Sequence, residues 1–257
     1  MLDAHCHIDL YEDPYQIALN AERHHVFTLA VTRLPSHFLQ AQTRLRNLRY
    51  VRPALGFHPM LVAENFDEID QFRNLVHLTR YIGEVGLDFS ARCDGGRELQ
   101  REAFEHILSL IRGQDKILSI HSRRAEAGVL ELVLQYECRK CIFHWYSGPL
   151  STLREIIAQG FYLSVNTQML RTRSGRKIIE ATQIDRVLTE TDGPFVKTDG
   201  RVAQPTDVAL IEAGLAEIWT MEREQVSQVI MSNLKRLLSV EAPVVAAASL
   251  ARSALLL

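Results

Sequence analysis

Two histidines lie two residues apart near the start of the chain, at His5 and His7. The residues around them, 2–8, form a short apolar run that is typical of a buried strand. Side chains two residues apart on a strand point to the same face, so both imidazoles are expected on one side. Residue types that commonly bind metals also end four further predicted strands, at Glu84, His121, His144 and Asp192.

These residues supply imidazoles and carboxylates, a donor set that suits divalent metal ions. Six ligands exceed what one tetrahedral site takes, so the set predicts two divalent ions (Zn²⁺, Mg²⁺ or Mn²⁺) that share a bridging carboxylate. Such a pair, about 3.5–4 Å apart, activates a water molecule and stabilises both the attacking and the leaving oxygen. Alternatively, each histidine is a hydrogen-bonded core residue, but five segments that meet at one edge of a barrel favour a metal centre.

Short apolar segments alternate with longer amphipathic ones along the chain. Strands are predicted at residues 2–8, 26–32, 51–57, 81–86, 117–121, 141–144, 161–165 and 186–191. Helical spacing of apolar residues marks 97–112 and 150–159, Pro35 begins another helix, and Gly160 ends one. Eight strands, each followed by a helix, predict an α/β fold of the (β/α)₈ TIM barrel type. The predicted barrel domain covers residues 1–240, and residues 241–257 form a tail of uncertain order.

The chain has 257 residues, of which 47% are hydrophobic and 23% are charged. This composition excludes a chain that is mainly disordered, collagenous or coiled coil. A formal net charge of −2 gives no overall attraction to nucleic acid, so any phosphate site must be local. No apolar run is long enough for a membrane-spanning helix and no secretory leader is visible, so we expect a cytoplasmic protein without a membrane partner. Cys138 and Cys141 lack a second cysteine pair and are expected to be reduced thiols.

Six motifs occur in a fixed order along the chain. They are His5-x-His7, GFHP at 56–59, GEVGLDF at 83–89, Ile120-His121-x-Arg123, HWYSG at 144–148 and TETDGP at 189–194. This series resembles the TatD family of metal-dependent hydrolases, which are amidohydrolase-type barrels and include many deoxyribonucleases. The similarity extends to the NLKRLL segment at 233–238, which resembles the terminal helix of the family.

The resemblance implies a role for each candidate ligand. His5, His7 and Asp192 would bind one ion, His121 and His144 would bind the other, and Glu84 would bridge them. Asp192 would also be the candidate base for the attacking water, which makes Asp192 and Glu84 the candidate catalytic residues. Glu190, two residues before Asp192, is expected to orient a ligand imidazole.

The resemblance also implies that His58 and Arg123 face the phosphate of the substrate. A guanidinium group suits this role because it offers a forked, permanently charged set of donors. For His58 the alternative is a structural cap beside Pro59, and for Arg123 it is a surface partner of an acidic residue. Trp145 and Tyr146 depart from the usual family pattern after the strand-six histidine. Such aromatic residues either stack a base at the mouth of the barrel or pack beneath the loop.

A local basic run follows the seventh predicted strand and contains no acidic residue. It comprises Arg171, Arg173, Arg176 and Lys177. It is either a loop that contacts DNA phosphates or the solvated start of a helix. The segment at 198–206 lacks the Arg-Asn-x-Pro run common in the family, so substrate contacts from that loop are not expected.

The sequence therefore predicts a divalent-metal-dependent deoxyribonuclease that hydrolyses phosphodiester bonds, releases nucleotides from an end, and takes single-stranded or end-containing DNA. One alternative keeps the metal centre but cleaves a small amide, lactone or aminoacyl ester. A further resemblance, to the TatD-like member of a bacterial anti-phage defence cluster, implies protein partners from a defence operon. In the second alternative the chain is a non-catalytic subunit of such an assembly.

Overall fold

The structure is a computed structural model that describes residues 1–90 and 96–239. Within these residues eight strands follow one another in parallel, as the alternation of apolar segments predicts. Each lies inside its predicted segment or matches it. They are β1 Leu2–Cys6, β2 Phe27–Val31, β3 Val51–Ala54, β4 Tyr81–Gly86, β5 Ile117–His121, β6 Cys141–His144, β7 Tyr162–Val165 and β8 Val187–Thr189.

The strands form two ladders, β1 to β3 and β4 to β8, which close into a barrel through two seams. At the first seam, Leu55, which directly follows β3, forms an isolated parallel bridge with Ile82 on β4. At the second, the amide of Asp192 donates to the carbonyl of His5 at 2.9 Å, and the amide of His7 donates to the carbonyl of Gly193 at 2.8 Å. The fold is therefore the predicted α/β barrel of TIM type, closed by backbone contacts beyond the strand ends.

Helices follow the strands and cover the outside of the barrel. The helix predicted at 97–112 spans Arg97–Ile111, and the one predicted at 150–159 spans Leu150–Ala158. The described helices are α1 Pro14–Arg23, α2 Pro35–Leu45, α3 Glu68–Leu75, α4 Arg97–Ile111, α5 Glu126–Gln135, α6 Leu150–Ala158, α7 Thr167–Arg171, α8 Arg173–Ala181, α9 Val208–Trp219 and α10 Arg223–Ser239. A short antiparallel hairpin, β9 Lys197–Thr198 and β10 Arg201–Val202, precedes α9.

Strand β1 shows how the sequence divides polar from apolar side chains in the barrel. All five of its residues are buried. Leu2, Ala4 and Cys6 belong to the apolar core. The alternate residues, Asp3 and His5, therefore point the other way, into the barrel. The apolar–polar alternation of this strand therefore separates the core face from the face that lies inside the barrel, and both faces are buried.

Three further expectations concern the C-terminal tail, the cysteines and membrane-spanning helices. The predicted tail, 241–257, lies outside the described residues. Cys138 and Cys141 are unpaired thiols, as expected. In the part of the chain that the structure describes, no helix combines the length and the apolar character needed to cross a bilayer.

The seam between β8 and β1 also depends on a buried side chain. Asp3 is fully buried, and its two carboxylate oxygens accept hydrogen bonds from Thr191, from the amide at 2.9 Å and from the hydroxyl at 2.5 Å. Thr191 lies one residue before Asp192. The same contact therefore closes the barrel and fixes the segment that carries a candidate metal ligand.

We predict that Asp3→Ala lowers the free energy of unfolding by about 2–4 kcal/mol, because it leaves the buried amide and hydroxyl of Thr191 without acceptors. Urea unfolding of the apo protein measures this loss. Asp67→Ala is the control, since Asp67 is exposed and its side chain forms no cap hydrogen bond; it should change stability by less than about 0.5 kcal/mol. Equal stability of the two variants would show that the seam does not depend on Asp3.

Candidate metal centre

The six predicted ligands meet at the carboxyl ends of the strands, where the parallel barrel directs them. His5 lies on β1, Glu84 on β4, and His121 and His144 are the last residues of β5 and β6. His7 and Asp192 follow the ends of β1 and β8. All are buried or nearly so. The convergence inferred from the sequence is therefore present in the structure.

The first group of ligands comes from the two ends of the chain. Nε2 of His5 and Nε2 of His7 lie 3.2 Å apart, as expected for side chains on one face of a strand. Oδ1 of Asp192 lies 3.8 Å from the first nitrogen and 3.7 Å from the second. One cation can therefore contact all three side chains with small adjustments.

Glu84 lies at the centre of the cluster, and its two oxygens face different imidazoles. Oε1 lies 2.8 Å from Nδ1 of His121, 3.0 Å from Nε2 of His144 and 3.2 Å from Nε2 of His58. Oε2 lies 3.2 Å from Nε2 of His7. A carboxylate with one oxygen directed to each set has the arrangement that a bridging ligand needs.

The donor atoms form three overlapping groups that are compact enough to hold cations. They are His5, His7 and Glu84; His5, His144 and Asp192; and His58, Glu84 and His121. Within the described residues, Oε2 of Glu84 is buried and accepts no hydrogen bond. A buried carboxylate oxygen without a donor is costly, and a divalent cation would satisfy it. The residues present therefore fit a metal centre, and they add His58 to the ligands expected from the sequence.

The electrostatics of the cluster are set by burial and by mutual contacts. Burial alone would raise the pKa of Glu84, but the facing imidazoles outweigh it and hold the pKa well below its usual range. Burial and the neighbouring His144 lower the pKa of His5 well below that of a free histidine. Burial raises the pKa of Asp192, although His144 opposes this shift. Of these three groups, only Glu84 and His5 are thereby shifted towards the form that binds a cation. At His121 and His144 the facing carboxylates outweigh burial and raise the pKa, so a cation would compete there with a proton.

Groups behind the ligands fix the orientation of the imidazole rings. Oδ2 of Asp88 lies 2.8 Å from Nε2 of His121, and the hydroxyl of Ser119 lies 2.7 Å from Nδ1 of His5. Such partners hold a ring and set its tautomer. Sequence reasoning assigned no role to Asp88 or Ser119, although Asp88 lies within the GEVGLDF motif and Ser119 is the inward neighbour of His121 on β5.

Glu190, which the sequence predicted to orient a ligand, is fully buried beside His144. Its Oε1 lies 3.8 Å from Nδ1 of that histidine. The amide of Trp145 and the side-chain amide of Asn166 each donate to Oε1 at 3.0 Å, and the hydroxyl of Ser164 donates to Oε2. These three donors satisfy the buried oxygens of Glu190 and hold its side chain next to the ring.

The backbone at two strand ends departs from ordinary geometry to bring the ligands together. Asp192 has a φ of 47°, in the left-handed region, which aspartate tolerates better than most residues. At the end of β4, Gly86 has a φ of 138°, and a Cβ there would lie 2.0 Å from the carbonyl oxygen of His121. Only glycine allows β4 and β5 to approach this closely beside the ligands.

A cavity of about 620 Å³ opens above the cluster. His58 and Arg123, predicted to face the substrate phosphate, both line it. His58 also acts as a cap, because its Nδ1 accepts a hydrogen bond from the amide of Met60 at 3.0 Å while Nε2 faces Glu84. The cap interpretation of His58 is therefore confirmed for Nδ1, and its contact with a phosphate stays a prediction.

The two aromatic residues after β6, Trp145 and Tyr146, differ in whether they reach the cavity or pack beneath the loop. Trp145 lines the cavity. Tyr146 is only 1% exposed, and its hydroxyl donates to the carbonyl of Pro149 at 2.7 Å. Stacking of a base on Tyr146 is therefore excluded in this conformation, because its ring packs beneath the loop.

The basic run after β7 lies on helices rather than in an irregular loop. Arg171 ends α7, and the other three residues lie on α8, which begins at Arg173; all four side chains are exposed, and none lines the cavity. A guanidinium nitrogen of Arg171 donates to the carbonyl of Lys197 at 3.0 Å, and another lies 3.4 Å from Asp199. The run itself contains no acidic residue, as the sequence shows, but the hairpin supplies an acidic partner to Arg171 from outside the run.

Sequence reasoning missed five residues that line the cavity: Arg33, Met60, Leu61, Ser122 and Phe195. Arg33 follows β2 at the same edge of the barrel as the ligands, so its position after a strand was the available signal. Phe195 follows the TETDGP motif, and Met60 follows GFHP.

Comparison with known proteins places this geometry in a family. The family model of TatD related DNases matches residues 2–239. An uncharacterized metal-dependent hydrolase of Methanocaldococcus jannaschii is 28% identical over 240 residues, which cover 90% of this chain and 94% of that protein. Deoxyribonuclease TATDN3 of Homo sapiens is 24% identical over 257 residues, which cover 92% of this chain and 94% of that protein.

The solved structures show the same fold. The crystal structure of YJJV, a TatD homolog from Escherichia coli K12, matches with a TM-score of 0.81 at 22% sequence identity, covering 94% of this chain and 98% of that one. The structure of a TatD family hydrolase from Entamoeba histolytica matches with a TM-score of 0.76 at 14% identity, covering 92% and 97%. Because the family model spans nearly all of the described chain, this protein belongs to the TatD family of metal-dependent hydrolases.

Proposed function

We propose that the protein is a divalent-metal-dependent deoxyribonuclease that hydrolyses phosphodiester bonds and removes nucleotides from a strand end. The observation that carries the proposal is the position of Glu84, whose two oxygens face separate sets of imidazoles at the floor of a cavity. The same cavity is lined by Arg123 and His58, which offer donors for a phosphate. The name of the human relative, deoxyribonuclease TATDN3, supports DNA as the substrate.

In this proposal His5, His7 and Asp192 would hold one ion, His121 and His144 would hold the second, and Glu84 would be shared. When bound, such ions lower the pKa of water and polarise a phosphoryl oxygen. Ring orientation in each half depends on Asp88, Ser119 and Glu190, which contact or approach His121, His5 and His144 respectively.

The side chains around the ions then perform separate tasks. Asp192 accepts the proton of the attacking water, since its carboxylate lies beside His5 and His7, next to the position proposed for that water. Arg123 and His58 contact the phosphate, and the permanent charge of Arg123 neutralises it as the bond breaks. These two groups favour a phosphodiester over an uncharged amide, lactone or ester.

Asp192→Asn should separate chemistry from folding, because asparagine keeps a ligating oxygen but loses the basicity. We expect single-turnover cleavage of end-labelled DNA, at saturating metal, to fall by at least about a hundredfold. Asp70→Asn is the control, since Asp70 is exposed on α3 and pairs with Arg73 on the same helix, away from the cavity; it should cleave like the parent protein. Near-parental cleavage by Asp192→Asn would remove Asp192 from the mechanism.

The same assay, run with Mg²⁺, Mn²⁺ and Zn²⁺ beside a panel of amides, lactones and aminoacyl esters, tests the substrate class. DNA should be degraded, and the uncharged compounds should be turned over far more slowly. Turnover of a panel member with intact DNA would overturn the nuclease proposal while leaving a metal-dependent hydrolase.

The number of ions is tested by metal analysis of the reconstituted protein, which should approach two ions per chain. His144→Ala should reduce this value towards one, because it removes a ligand of one proposed ion and leaves His7 and Asp192 for the other. The exposed His77→Ala is the matched control and should retain two. A stable value of one in the parent protein would contradict the bridging role of Glu84.

Replacement of Arg171, Arg173 and Arg176 by glutamine should weaken DNA binding if these residues contact phosphates. The slope of log affinity against log salt concentration should decrease by roughly one unit for each phosphate that the variant no longer binds. A matched triple replacement of Arg49, Arg112 and Arg139, which are exposed and precede strands at the opposite end of the barrel, should leave the slope unchanged. An unchanged slope in the first variant would identify the run as solvated helix surface.

A further inference from the structure

Arg33 reaches the cavity from β2, a strand that supplies none of the proposed metal ligands. Its backbone is anchored at the site, since its carbonyl accepts a hydrogen bond from the amide of His58 at 2.8 Å. The side chain is partly buried, and Nε is buried without a hydrogen-bond partner in the described part of the chain. A guanidinium donor that is out of water and unpaired is costly, which indicates that a ligand group completes its contacts.

The acidic residue near Arg33 has a different partner. Asp9 lies within range of the charge of Arg33, but its Oδ2 pairs with Nδ1 of His37 at 3.6 Å. Among the described residues, the aromatic contact of Arg33 is with Phe195, whose ring centroid lies 6.0 Å from its Cζ. The guanidinium therefore retains donors for an anion in the cavity.

Phe195 is 54% exposed although it lies beside the metal ligands. Its ring meets that of His7 edge to face, with 5.1 Å between the centroids. An exposed aromatic ring at the wall of a cavity has no role in the core, and it offers a face on which a nucleobase can stack. Arginine and an aromatic ring side by side match the two parts of a nucleotide, a phosphate and a base.

The cavity has room for more than the scissile group. Its volume of about 620 Å³ lies within the usual range for sites that enclose a whole small ligand. Arg123 reaches it from the end of β5, whereas Arg33 reaches it from the end of β2, three strands away around the barrel. Two cations that enter from different strands can bind two different phosphates of one strand end.

We propose that Arg33 and Phe195 form a subsite for the nucleotide next to the scissile bond, in which Arg33 binds a second phosphate and Phe195 stacks the base. This inference rests on the proposed nuclease function and narrows its substrate to a strand end that carries a phosphate beyond the one that is cleaved.

Dinucleotides test the phosphate contact directly. The probes are TpT, which has only the scissile phosphate, and its derivatives with one additional phosphate at the 5′ or the 3′ end. The parent protein should cleave one of the two derivatives with a kcat/KM at least about tenfold above that of TpT, as expected for a charge-assisted hydrogen bond. Arg33→Gln should reduce this ratio to about one. Arg46→Gln removes a charge from the exposed end of α2, away from the cavity, and should keep the ratio.

The base contact is tested with the preferred derivative and its analogue that lacks the base at the phosphorylated residue. Loss of the base should cost the parent protein about tenfold in kcat/KM. Phe195→Ala should abolish this discrimination, and Phe195→Tyr should restore it. Discrimination that survives in Phe195→Ala but is lost in Trp145→Ala would move the stacking to Trp145 and overturn the assignment.

The outcomes separate this inference from the proposed function. If the parent protein degrades DNA but cleaves all three dinucleotides equally, the subsite is refuted and the nuclease function stands. If Arg33→Gln slows TpT and its derivatives by the same factor, Arg33 supports the structure of the site and binds no second phosphate. If the parent protein cleaves neither DNA nor dinucleotides, the function and the subsite both fall.

Discussion

The buried carboxylate of Glu84 is the interaction on which the candidate site depends. A carboxylate taken out of water is unstable unless positive or hydrogen-bonding groups surround it. Here His7, His58, His121 and His144 approach its two oxygens within 3.2 Å. The carboxylate also stabilises the histidines, because their ring nitrogens lie close together and face its negative charge. The carboxylate and the imidazoles therefore stabilise one another. Among the described residues, Oε2 of Glu84 still accepts no hydrogen bond, and a divalent cation would satisfy it.

The barrel makes this cluster possible because it brings distant segments to one edge. Strands β1 and β8 are separated by most of the chain. Two contacts join them: the side chain of Asp3 accepts hydrogen bonds from Thr191, and the amide of Asp192 donates a hydrogen bond to the carbonyl of His5. The site then has two layers, the ligands and the groups that hold their rings. The rim of the cavity adds Arg33 from the end of β2, which carries no candidate ligand, and Arg123, Trp145 and Phe195 from segments that follow candidate ligands.

Much of the fold and of the metal centre was predictable. The eight strands were recognisable because each is a short apolar run followed by a helical pattern, and their parallel arrangement follows from that alternation. The ligands were recognisable because strand ends in a barrel converge, so His5, Glu84 and Asp192 could be grouped although they lie far apart in the sequence. The details at loops were less predictable. Tyr146 packs beneath its loop, and Arg171 forms an ion pair with Asp199. Such contacts could not be predicted because they depend on the path of the backbone between elements.

The sequence by itself determined the barrel, its order of strands and the residue types available at its catalytic edge, because periodicity and residue type are local properties. Only the tertiary structure decided which oxygen of Glu84 faces which imidazole, that Asp88 and Ser119 hold the rings, and that Arg33 reaches the cavity beside Phe195. These outcomes depend on the rotamers and the close approach of side chains from different strands. No spacing along the chain encodes those distances, since they arise only when the barrel closes.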